Sequence, residues 1–430
     1  MITSKIGRTF LNAYNEAYRK DYDAEKFFVS EFYPLFFDHP KYMMTAGNSP
    51  LENPKLSWEK MILGKIPFEN AERRKERFDS LMKKKKKENA DASIAMGYPS
   101  LDINATTSGQ ISNMSLEFSK DDIYLSWIGA GLGIGIQGGF SILFDEPRIL
   151  LDIFKGWKEY RRRLNTNTKL EGNKINRWNG HWLIYACTHD IKEDKPASDF
   201  QPPMENDKGI LSIGMQRWTE VIGSIAKKVD KDQLVGYIYN YGKTNTTIGF
   251  IPFDLRGIRK IHDLYIKYFG MESGVQAKML WGTEFGFARA CQYGAVGIWA
   301  MKPKGLQTYF EGKIPPKPKN EEQQISFNTY KIWIMAMLNN DEQWDKAQGI
   351  AEVLHGYASS GERAKTVNAN KVKAVLEATN KKGFLENLTK IACDVENKQS
   401  LEEIGKLVNS MPTDNVPYFL VLIKFHYAVI

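Results

Sequence analysis

The sequence predicts an α+β protein, with an irregular mixed α/β body over residues 1–313 and an all-helical bundle over residues 320–430. Strand-like runs of β-branched and aromatic residues alternate irregularly with helical patterns in the body, whereas helical periodicity continues alone beyond residue 320. Residues 314–319 contain three prolines, which remove amide donors and hold the backbone extended. We therefore predict two domains joined by a linker at 314–319.

The body begins with a helical pattern and continues with both types of element. Helices are predicted at residues 10–37, 71–87, 147–164, 218–228, 256–269 and 276–291. Strands are predicted at residues 115–118, 123–128, 140–144, 182–187, 234–241 and 247–253. This order lacks the regular alternation of a doubly wound sheet, so it favours an irregular body over that fold.

The bundle is predicted from short helices separated by Gly, Asn, Ser and Pro. These helices cover residues 321–338, 342–356, 371–379, 384–392, 401–409 and 416–427. Because each apolar stripe must be covered by another, helices of this kind pack into a bundle.

The composition favours a cytoplasmic protein that binds a polyanion. No apolar run approaches the roughly 18 residues that a membrane-spanning helix needs, and residues 1–19 lack the apolar stretch of a secretory signal. Cys187, Cys291 and Cys393 are too sparse for a disulfide framework, which fits a reducing compartment. The formal net charge of +8 and the pI near 9.0 favour an acidic partner, of which nucleic acids are the abundant large polyanions inside cells, although membrane-surface and simply soluble proteins share such values.

The motifs that imitate catalytic sites fail on spacing, order or context. Asp145 and Glu146 follow an apolar run, as in the magnesium-binding strand of an ATPase. The Gly-Lys-Thr at 242–244, however, lies downstream and is followed by strand-like sequence, whereas a phosphate loop must open a helix. We therefore expect no catalytic residue and no cofactor, although a site assembled only by the fold stays open.

A zinc site is a second possibility that the spacing disfavours. If residues 182–187 form a strand that extends on both sides, His181, Cys187 and His189 share one of its faces and supply ligand types that zinc accepts. No second ligand pair with metal spacing accompanies them. We therefore expect no metal.

The glycine-rich segment at residues 129–139 alternates glycine with apolar residues and predicts a bulged β-connection. Without side chains, such a segment lets another backbone approach closely. That backbone could belong to the chain itself, as in a close-packed turn, or to nucleic acid, in which case Gln137 would present its amide to a base edge or sugar. The sequence leaves both interpretations open.

Three polar, basic loops are interleaved with aromatic residues, at 41–48, at 161–179 with Trp157 and Trp178, and at 237–247. The last combines tyrosines, a lysine and short hydrogen-bonding side chains, which is the mixture that base stacking and backbone binding require. The alternative for this loop is an ordinary β-hairpin with a solvated turn. Arg256 and Arg259 lie in the first turn of a predicted helix, where cations oppose the helix dipole, and this conflict also favours a nearby polyanion.

The layout resembles the large subunit of a bacterial type I CRISPR Cascade complex. The resemblance is carried by the basic α/β body, the glycine-rich segment, the basic loops, the Pro-Lys linker and the helical bundle. The paired Cys-x-x-Cys motifs of some branches of that family are absent. The resemblance implies a non-catalytic subunit that recognises the short motif beside the DNA target, helps open the duplex and recruits a separate helicase-nuclease.

The same resemblance implies DNA, guide RNA and other subunits of a multi-subunit complex as partners. The residues expected to contact nucleic acid are polar or basic loop and helix residues of the body and lysines of the bundle: Asn48, Gly133, Gly135, Gln137, Arg161, Arg162, Lys243, Asn245, Arg256, Arg259, Lys371, Lys373, Lys381 and Lys382. The bundle lysines would line the displaced strand.

Two other classes of function remain open. One is a nuclease or other enzyme of a bacterial defence system whose site is brought together only by the fold. The other is an interaction scaffold whose charge serves solubility. Affinity for nucleic acid that falls steeply with salt distinguishes the binding hypothesis from the scaffold.

Overall fold

The computed structural model describes residues 1–47, 49–52, 57–87, 92–99, 119–191, 197–240, 247–270, 280–360 and 365–430. The described chain is a mixed α+β protein with about 59% helix, 9% strand, small antiparallel sheets and a helical C-terminal region, which confirms the predicted fold class. It divides into two compact units. The first unit is Met1–Phe253 with Phe287–Ala295, and the second unit is Asp254–Gly286 with Val296–Ile430. Residues 314–319 lie within the second unit, so their role as a linker stays a prediction.

The first unit is built from helices around two small sheets. Its helices are α1 (Ile2–Tyr18), α2 (Ala24–Phe27), α3 (Tyr33–Phe36), α4 (Trp58–Ile62), α5 (Ala71–Lys87), α6 (Lys120–Gly131), α7 (Pro147–Thr166), α8 (Ile175–Thr188), α9 (Trp218–Lys228) and, after α10 of the second unit, α11 (Phe287–Cys291); a π-helix at Phe28–Phe32 joins α2 to α3. The larger sheet has the order β1-β2-β5-β6, and β3 pairs with β4 in the smaller one. The strands are β1 (Ile134–Ile136), β2 (Phe140–Phe144), β3 (Met204–Asp207), β4 (Ile210–Ile213), β5 (Gln233–Asn240) and β6 (Thr247–Asp254).

Two predicted strands of the body are wrong. Residues 123–128 belong to α6 and residues 182–187 belong to α8. Every residue from Ile123 to Gly131 is buried, so α6 has no polar face to reveal a helical period. Since α8 is helical, His181 and Cys187 do not share a strand face, and the zinc interpretation loses its basis.

Other differences are smaller. Strands β3 and β4 were not predicted, and the predicted strand at 115–118 lies outside the described residues. The predicted helix at 276–291 is shorter in the structure. Phe287–Cys291 is helical, 281–286 are not helical, and 276–279 lie outside the described residues. The predicted helix at 10–37 is interrupted at residues 19–23, between α1 and α2. The remaining predicted helices and strands are present, some with the predicted bounds and others with shifted ends.

Close helix packing organises the first unit. A Cβ atom added to Gly7 of α1 would lie 2.0 Å from the carbonyl oxygen of Leu125 in α6, and one added to Gly129 would lie 2.0 Å from the carbonyl oxygen of Thr3. Both distances are far below a van der Waals contact, so α1 and α6 touch through their backbones. An aromatic core lies nearby, formed by Phe10, Phe27, Phe32, Phe36, Phe154 and Trp157.

The second unit is helical in its described residues. Its helices are α10 (Leu255–Phe269), α12 (Gln307–Phe310), α13 (Glu321–Leu338), α14 (Glu342–Ser359), α15 (Lys365–Glu377), α16 (Lys381–Ala392), α17 (Gln399–Ser410) and α18 (Val416–Tyr427), with a 3₁₀ turn at Ile298–Met301. Helix α18 packs against both α13 and α14, while α14 to α17 pack in succession. The predicted helices of the bundle are therefore confirmed, and α18 is buried along most of its length.

Three lysines are buried in the described chain without a carboxylate in hydrogen-bonding contact. Lys41 donates to the carbonyl oxygens of Leu164, Asn167 and Leu170 at the end of α7, and Lys424 donates to the carbonyl oxygen of Tyr309. Burial lowers the pKa of Lys41, Lys331 and Lys424 to about 8 in each case.

Lys331 differs from the other two because aromatic rings surround its ammonium group. Its Nζ lies 4.9 Å from the ring centre of Trp344 and 5.4 Å from that of Phe269. Trp344 also meets the ring of His426 edge to face, and burial together with Lys331 lowers the pKa of His426 to about 3. Cation–π attraction offsets part of the cost of burying this charge.

The buried Lys331 predicts a pH-dependent stability. An unfolded lysine titrates near 10.4, whereas Lys331 in the fold titrates at about 8. Between these values the unfolded chain binds more protons, so the free energy of unfolding rises with pH, by about 3 kcal/mol from this residue. We expect Lys331→Met to lack this rise, as measured by urea denaturation from pH 8 to pH 10.

The control for that experiment is Lys406→Met, which replaces an exposed lysine of α17. Its stability should change with pH in parallel with the original chain. If the Lys331→Met and original curves also run parallel, the Lys331 ammonium is not buried as described.

Candidate nucleic-acid interface

Helix α8 lies directly against strand β1 at the edge of the larger sheet. A Cβ atom on Gly135 of β1 would lie 2.8 Å from the carbonyl carbon of Asn176 and 3.0 Å from the amide nitrogen of Arg177, and one on Gly180 of α8 would lie 2.5 Å from the carbonyl oxygen of Gly135. These atoms are backbone and cannot move aside independently. Glycine is therefore required at both positions for α8 to cover the β1 edge.

Amide side chains of α8 satisfy the carbonyl groups of the glycine-rich segment. Asn179 Nδ2 donates to the carbonyl oxygens of Gly131 at 2.8 Å and Gly133 at 2.9 Å. Asn176 Nδ2 donates to the carbonyl oxygen of Gly133 at 3.1 Å and to Ser141 Oγ at 3.2 Å. These bonds pair the buried carbonyls within the chain, as buried backbone groups require.

The predicted roles of Gly133 and Gly135 need correction. A Cβ atom on Gly133 would lie 2.4 Å from Asn176 Nδ2, 2.5 Å from Ser141 Oγ and 2.8 Å from the Tyr239 hydroxyl. The space beside both glycines is thus filled by the chain itself. Of the two interpretations of this segment, the structure has the close-packed internal connection, and neither glycine presents its backbone to a nucleic acid groove.

Gln137 lies where the glycine-rich segment leaves the interior. Its side chain is exposed at the turn between β1 and β2, while its backbone N–H donates to the carbonyl oxygen of Gln216 at 2.8 Å. Gly138 and Gly139 follow with φ values of 92° and 79°, which favour glycine. The side-chain amide of Gln137 is therefore attached to a backbone that is held by a hydrogen bond. Its contact with nucleic acid stays a prediction.

The larger sheet has one buried face and one face that is only partly covered. On β5, Leu234, Gly236 and Ile238 are buried, and the alternate residues point to the opposite face. Tyr239 is opposite Ser141 in the strand pairing, and Ser141 is buried beside α8. The second face is therefore covered over β1 and β2.

Over β5 and β6 the second face carries a patch that we call the aromatic platform, formed by Val235, Tyr237, Tyr239 and Phe250. The Tyr237 ring lies 5.1 Å from Phe250 and 6.3 Å from Tyr239, centre to centre. Phe250 is 61% exposed and Val235 is 47% exposed. Large apolar side chains grouped on an open sheet face are typical of a binding surface.

The platform was only partly predicted. Tyr237 and Tyr239 belong to the segment expected to stack bases, but they lie on β5 and not in a loop. Val235 and Phe250 were missed. The available signal was that apolar residues occur at strand positions whose side chains point to the same face as the tyrosines. Lys243 and Asn245 of the same segment, and Asn48, lie outside the described residues.

Arg161 is not available to a phosphate. It is buried, and its guanidinium donates to the carbonyl oxygen of Leu35 at 2.8 Å and to that of Lys41 at 2.8 Å. Burial lowers its pKa to about 10. Arg161 therefore joins α7 to the end of α3, and its predicted contact with nucleic acid is corrected to this internal role.

Arg162 is more exposed and forms an ion pair on its own helix. Its Nε donates to Glu159 Oε2 at 2.9 Å, and this bond raises its pKa. In the second unit, Arg256 is exposed and Arg259 is half-buried at the start of α10, where Asp254 accepts the N–H of Gly257 at 2.9 Å. Contacts of these three arginines with nucleic acid stay predictions.

The four bundle lysines all have partners within the second unit. Lys371 pairs with Asp394, Lys373 with Glu377 at 3.7 Å, and Lys382 with Glu386 at 3.8 Å. Lys381 donates to the carbonyl oxygens of Asn409 and Met411, at 2.8 and 2.7 Å, and thereby caps the end of α17. Exposed pairs on one helix contribute little to stability, so Lys373 and Lys382 can exchange their partners for a phosphate at small cost.

The described ranges contain no group of three or more His, Cys, Asp or Glu side chains arranged to hold a metal ion. Among the same residues, no helix combines the length and apolar character needed to cross a membrane. No protein-family model, curated protein or solved structure matches this chain.

Replacing glycine by alanine should have opposite effects at two positions, at Gly135 in the contact of α8 with β1 and at Gly349 on α14. We expect Gly135→Ala to lower the free energy of unfolding by about 3 kcal/mol, because the added methyl group overlaps backbone atoms. Gly349→Ala on α14, where an added Cβ meets nothing within 4 Å, should instead stabilise its helix by up to about 1 kcal/mol. Thermal denaturation followed by circular dichroism measures both. Equal stability of Gly135→Ala and the original chain would contradict the contact.

Proposed function

We propose that this chain is a non-catalytic nucleic-acid-binding protein that stacks unpaired bases on the aromatic platform. The observation that carries the proposal is a group of aromatic rings on this face of the sheet, in which Phe250 is 61% exposed and Tyr237 and Tyr239 are half-buried beside it. Every base has an apolar face, so stacking on aromatic rings provides affinity without requiring a particular sequence.

The surroundings of the platform support the same function. The Tyr239 hydroxyl lies beside Asn176 of α8 and the buried Ser141, so the inner end of the platform is held in place by the rest of the unit. Aromatic rings on a fixed support are suited to stacking unpaired bases. The chain also carries a formal net charge of +8, which favours a polyanion at long range.

The resemblance to Cascade large subunits provides the biological setting of the proposal. In that setting the chain is a cytoplasmic subunit of a bacterial type I CRISPR surveillance complex that recognises the target-adjacent motif and helps open duplex DNA. Its partners are DNA, guide RNA, neighbouring subunits and a recruited helicase-nuclease. Stacking of unpaired bases suits this role, because an opened duplex exposes bases that need a new partner.

A protein scaffold is the alternative that the platform itself also favours. An exposed apolar patch equally suits the side chains of a protein partner. The two functions differ in their response to salt, because phosphate contacts release counterions and protein contacts between apolar groups do not.

The proposal predicts the effect of removing platform rings. We expect Tyr237→Ala and Phe250→Ala each to weaken binding of a fluorescent single-stranded oligonucleotide about tenfold, because each stacked base contributes about 1–3 kcal/mol. Fluorescence anisotropy at low ionic strength measures the affinity. The matched control is Tyr293→Ala, an aromatic residue that is 62% exposed and lies outside the sheet.

Two outcomes would count against the proposal. If the original chain binds no oligonucleotide at low salt, it does not bind nucleic acid by itself and the scaffold is favoured. If Phe250→Ala and Tyr293→Ala bind equally well, the platform is not the stacking surface. Cleavage of the oligonucleotide when divalent metal ions are added would contradict the non-catalytic assignment.

A further inference from the structure

Helix α5 carries the most concentrated positive charge of any described helix. Its sequence, Ala71–Lys87, contains nine basic and three acidic residues. The acidic residues, Glu72, Glu76 and Asp79, all lie in the N-terminal half. The C-terminal half ends in five consecutive lysines, 83–87, with no acidic residue among them.

Part of this charge attaches α5 to the rest of the first unit. Arg74 pairs with Asp38 at 3.1 Å, and Arg77 pairs with Glu69 at 2.7 Å. Lys85 is largely buried, and its Nζ donates to the Tyr124 hydroxyl at 2.6 Å. These contacts hold α5 in place along its length, so its outer side is presented on a fixed support.

The outer side near the C-terminus carries lysines without a partner. Lys83 and Lys86 are exposed, and neither forms a hydrogen bond or ion pair within the described chain. They are three residues apart, and side chains at this spacing lie on the same side of a helix. Together they form a pair of neighbouring cations, and Asp79, one turn before Lys83, makes no ion pair with it in the described chain.

The helix dipole explains only part of this arrangement. Cations in the last turn of a helix are favourable by about 0.3–1 kcal/mol, and the effect fades beyond that turn. Like charges three residues apart repel each other by a similar amount. Five consecutive lysines therefore exceed what the dipole stabilises, and an external anion would relieve the remaining repulsion among them.

We propose that the outer side of α5 is a second contact for nucleic acid, in which Lys83 and Lys86 bind phosphates of the backbone. This inference rests on the proposed function, that the chain binds nucleic acid, and adds a surface separate from the platform. Phosphate contacts need no unpaired base, so α5 binds duplex and single strands alike and carries no sequence preference.

An anionic membrane is the other polyanion that such a helix could meet, and the structure disfavours it. A membrane-surface helix inserts an apolar side between lipids. The apolar side of α5 is covered, because Phe78 packs on Tyr33 with ring centres 4.2 Å apart and Leu81 is buried. Only the charged side of α5 is left for a partner.

The test uses the full-length chain with both lysines reversed, Lys83→Glu/Lys86→Glu. Affinity for a duplex and for a single strand is measured by anisotropy over a range of salt concentrations. Each phosphate contact contributes about −0.9 to the slope of log affinity against log salt on duplex DNA. We expect the double variant to reduce the magnitude of this slope by about 2 and to bind both ligands more weakly. The control Lys20→Glu/Lys158→Glu makes the same charge change at exposed lysines elsewhere in the first unit and should keep the original slope.

A second variant, Lys83→Gln/Lys86→Gln, removes the two charges without adding negative ones. It controls for misfolding, because glutamine has a helix propensity close to that of lysine. It should show the same loss of slope with unchanged circular dichroism. If the original chain binds nucleic acid and both α5 variants keep its salt slope, the α5 contact is wrong while the proposed function stands. If the original chain binds neither ligand at low salt, the proposed function itself fails. Binding to anionic vesicles that depends on Lys83 and Lys86, without binding to the duplex, would overturn the choice of nucleic acid.

Discussion

The contact between α8 and β1 determines which parts of the larger sheet are open. Gly135 and Gly180 let the two backbones meet, and α8 then covers the sheet above β1 and β2. Val235 of β5 and Phe250 of β6 are exposed on the same face, so the face is open there, beside the ring of Tyr237. The candidate interface thus exists because a glycine-dependent contact ends partway across the sheet.

Helical spacing together with Gly, Asn, Ser and Pro signals predicted helices even where burial is nearly complete, as in α18, and failed for α6 and α8. Helices α5, α9, α13 and α18 match their predicted bounds residue for residue. Helices α6 and α8 were predicted as strands because β-branched and aromatic residues fill stretches in which nearly every position faces other elements. In such segments the composition is strand-like and no polar side exists to mark a turn of 3.6 residues.

The candidate site was harder to predict than the fold, since burial of charged residues depends on distant partners. The run Arg161 to Arg163 is basic enough to suggest a phosphate contact, yet Arg161 is buried because α3 leaves carbonyl groups that need a donor. The sequence around residue 161 gives no indication that a distant carbonyl group requires a hydrogen-bond donor there. The tyrosines of β5 were singled out from the sequence because they stand beside a lysine and short hydrogen-bonding side chains in residues 237–247, a local composition that needs no distant partner to be read.

The buried lysines also affect how the composition should be interpreted. The sequence pI near 9.0 counts every lysine as an ordinary exposed amine. Lys41, Lys331 and Lys424 each have a pKa of about 8 in the fold, so they lose their protons before that pH is reached. The folded chain therefore reaches electrical neutrality at a lower pH than its unfolded form, and three of its formal positive charges lie inside the fold, where they cannot pair directly with an anionic partner.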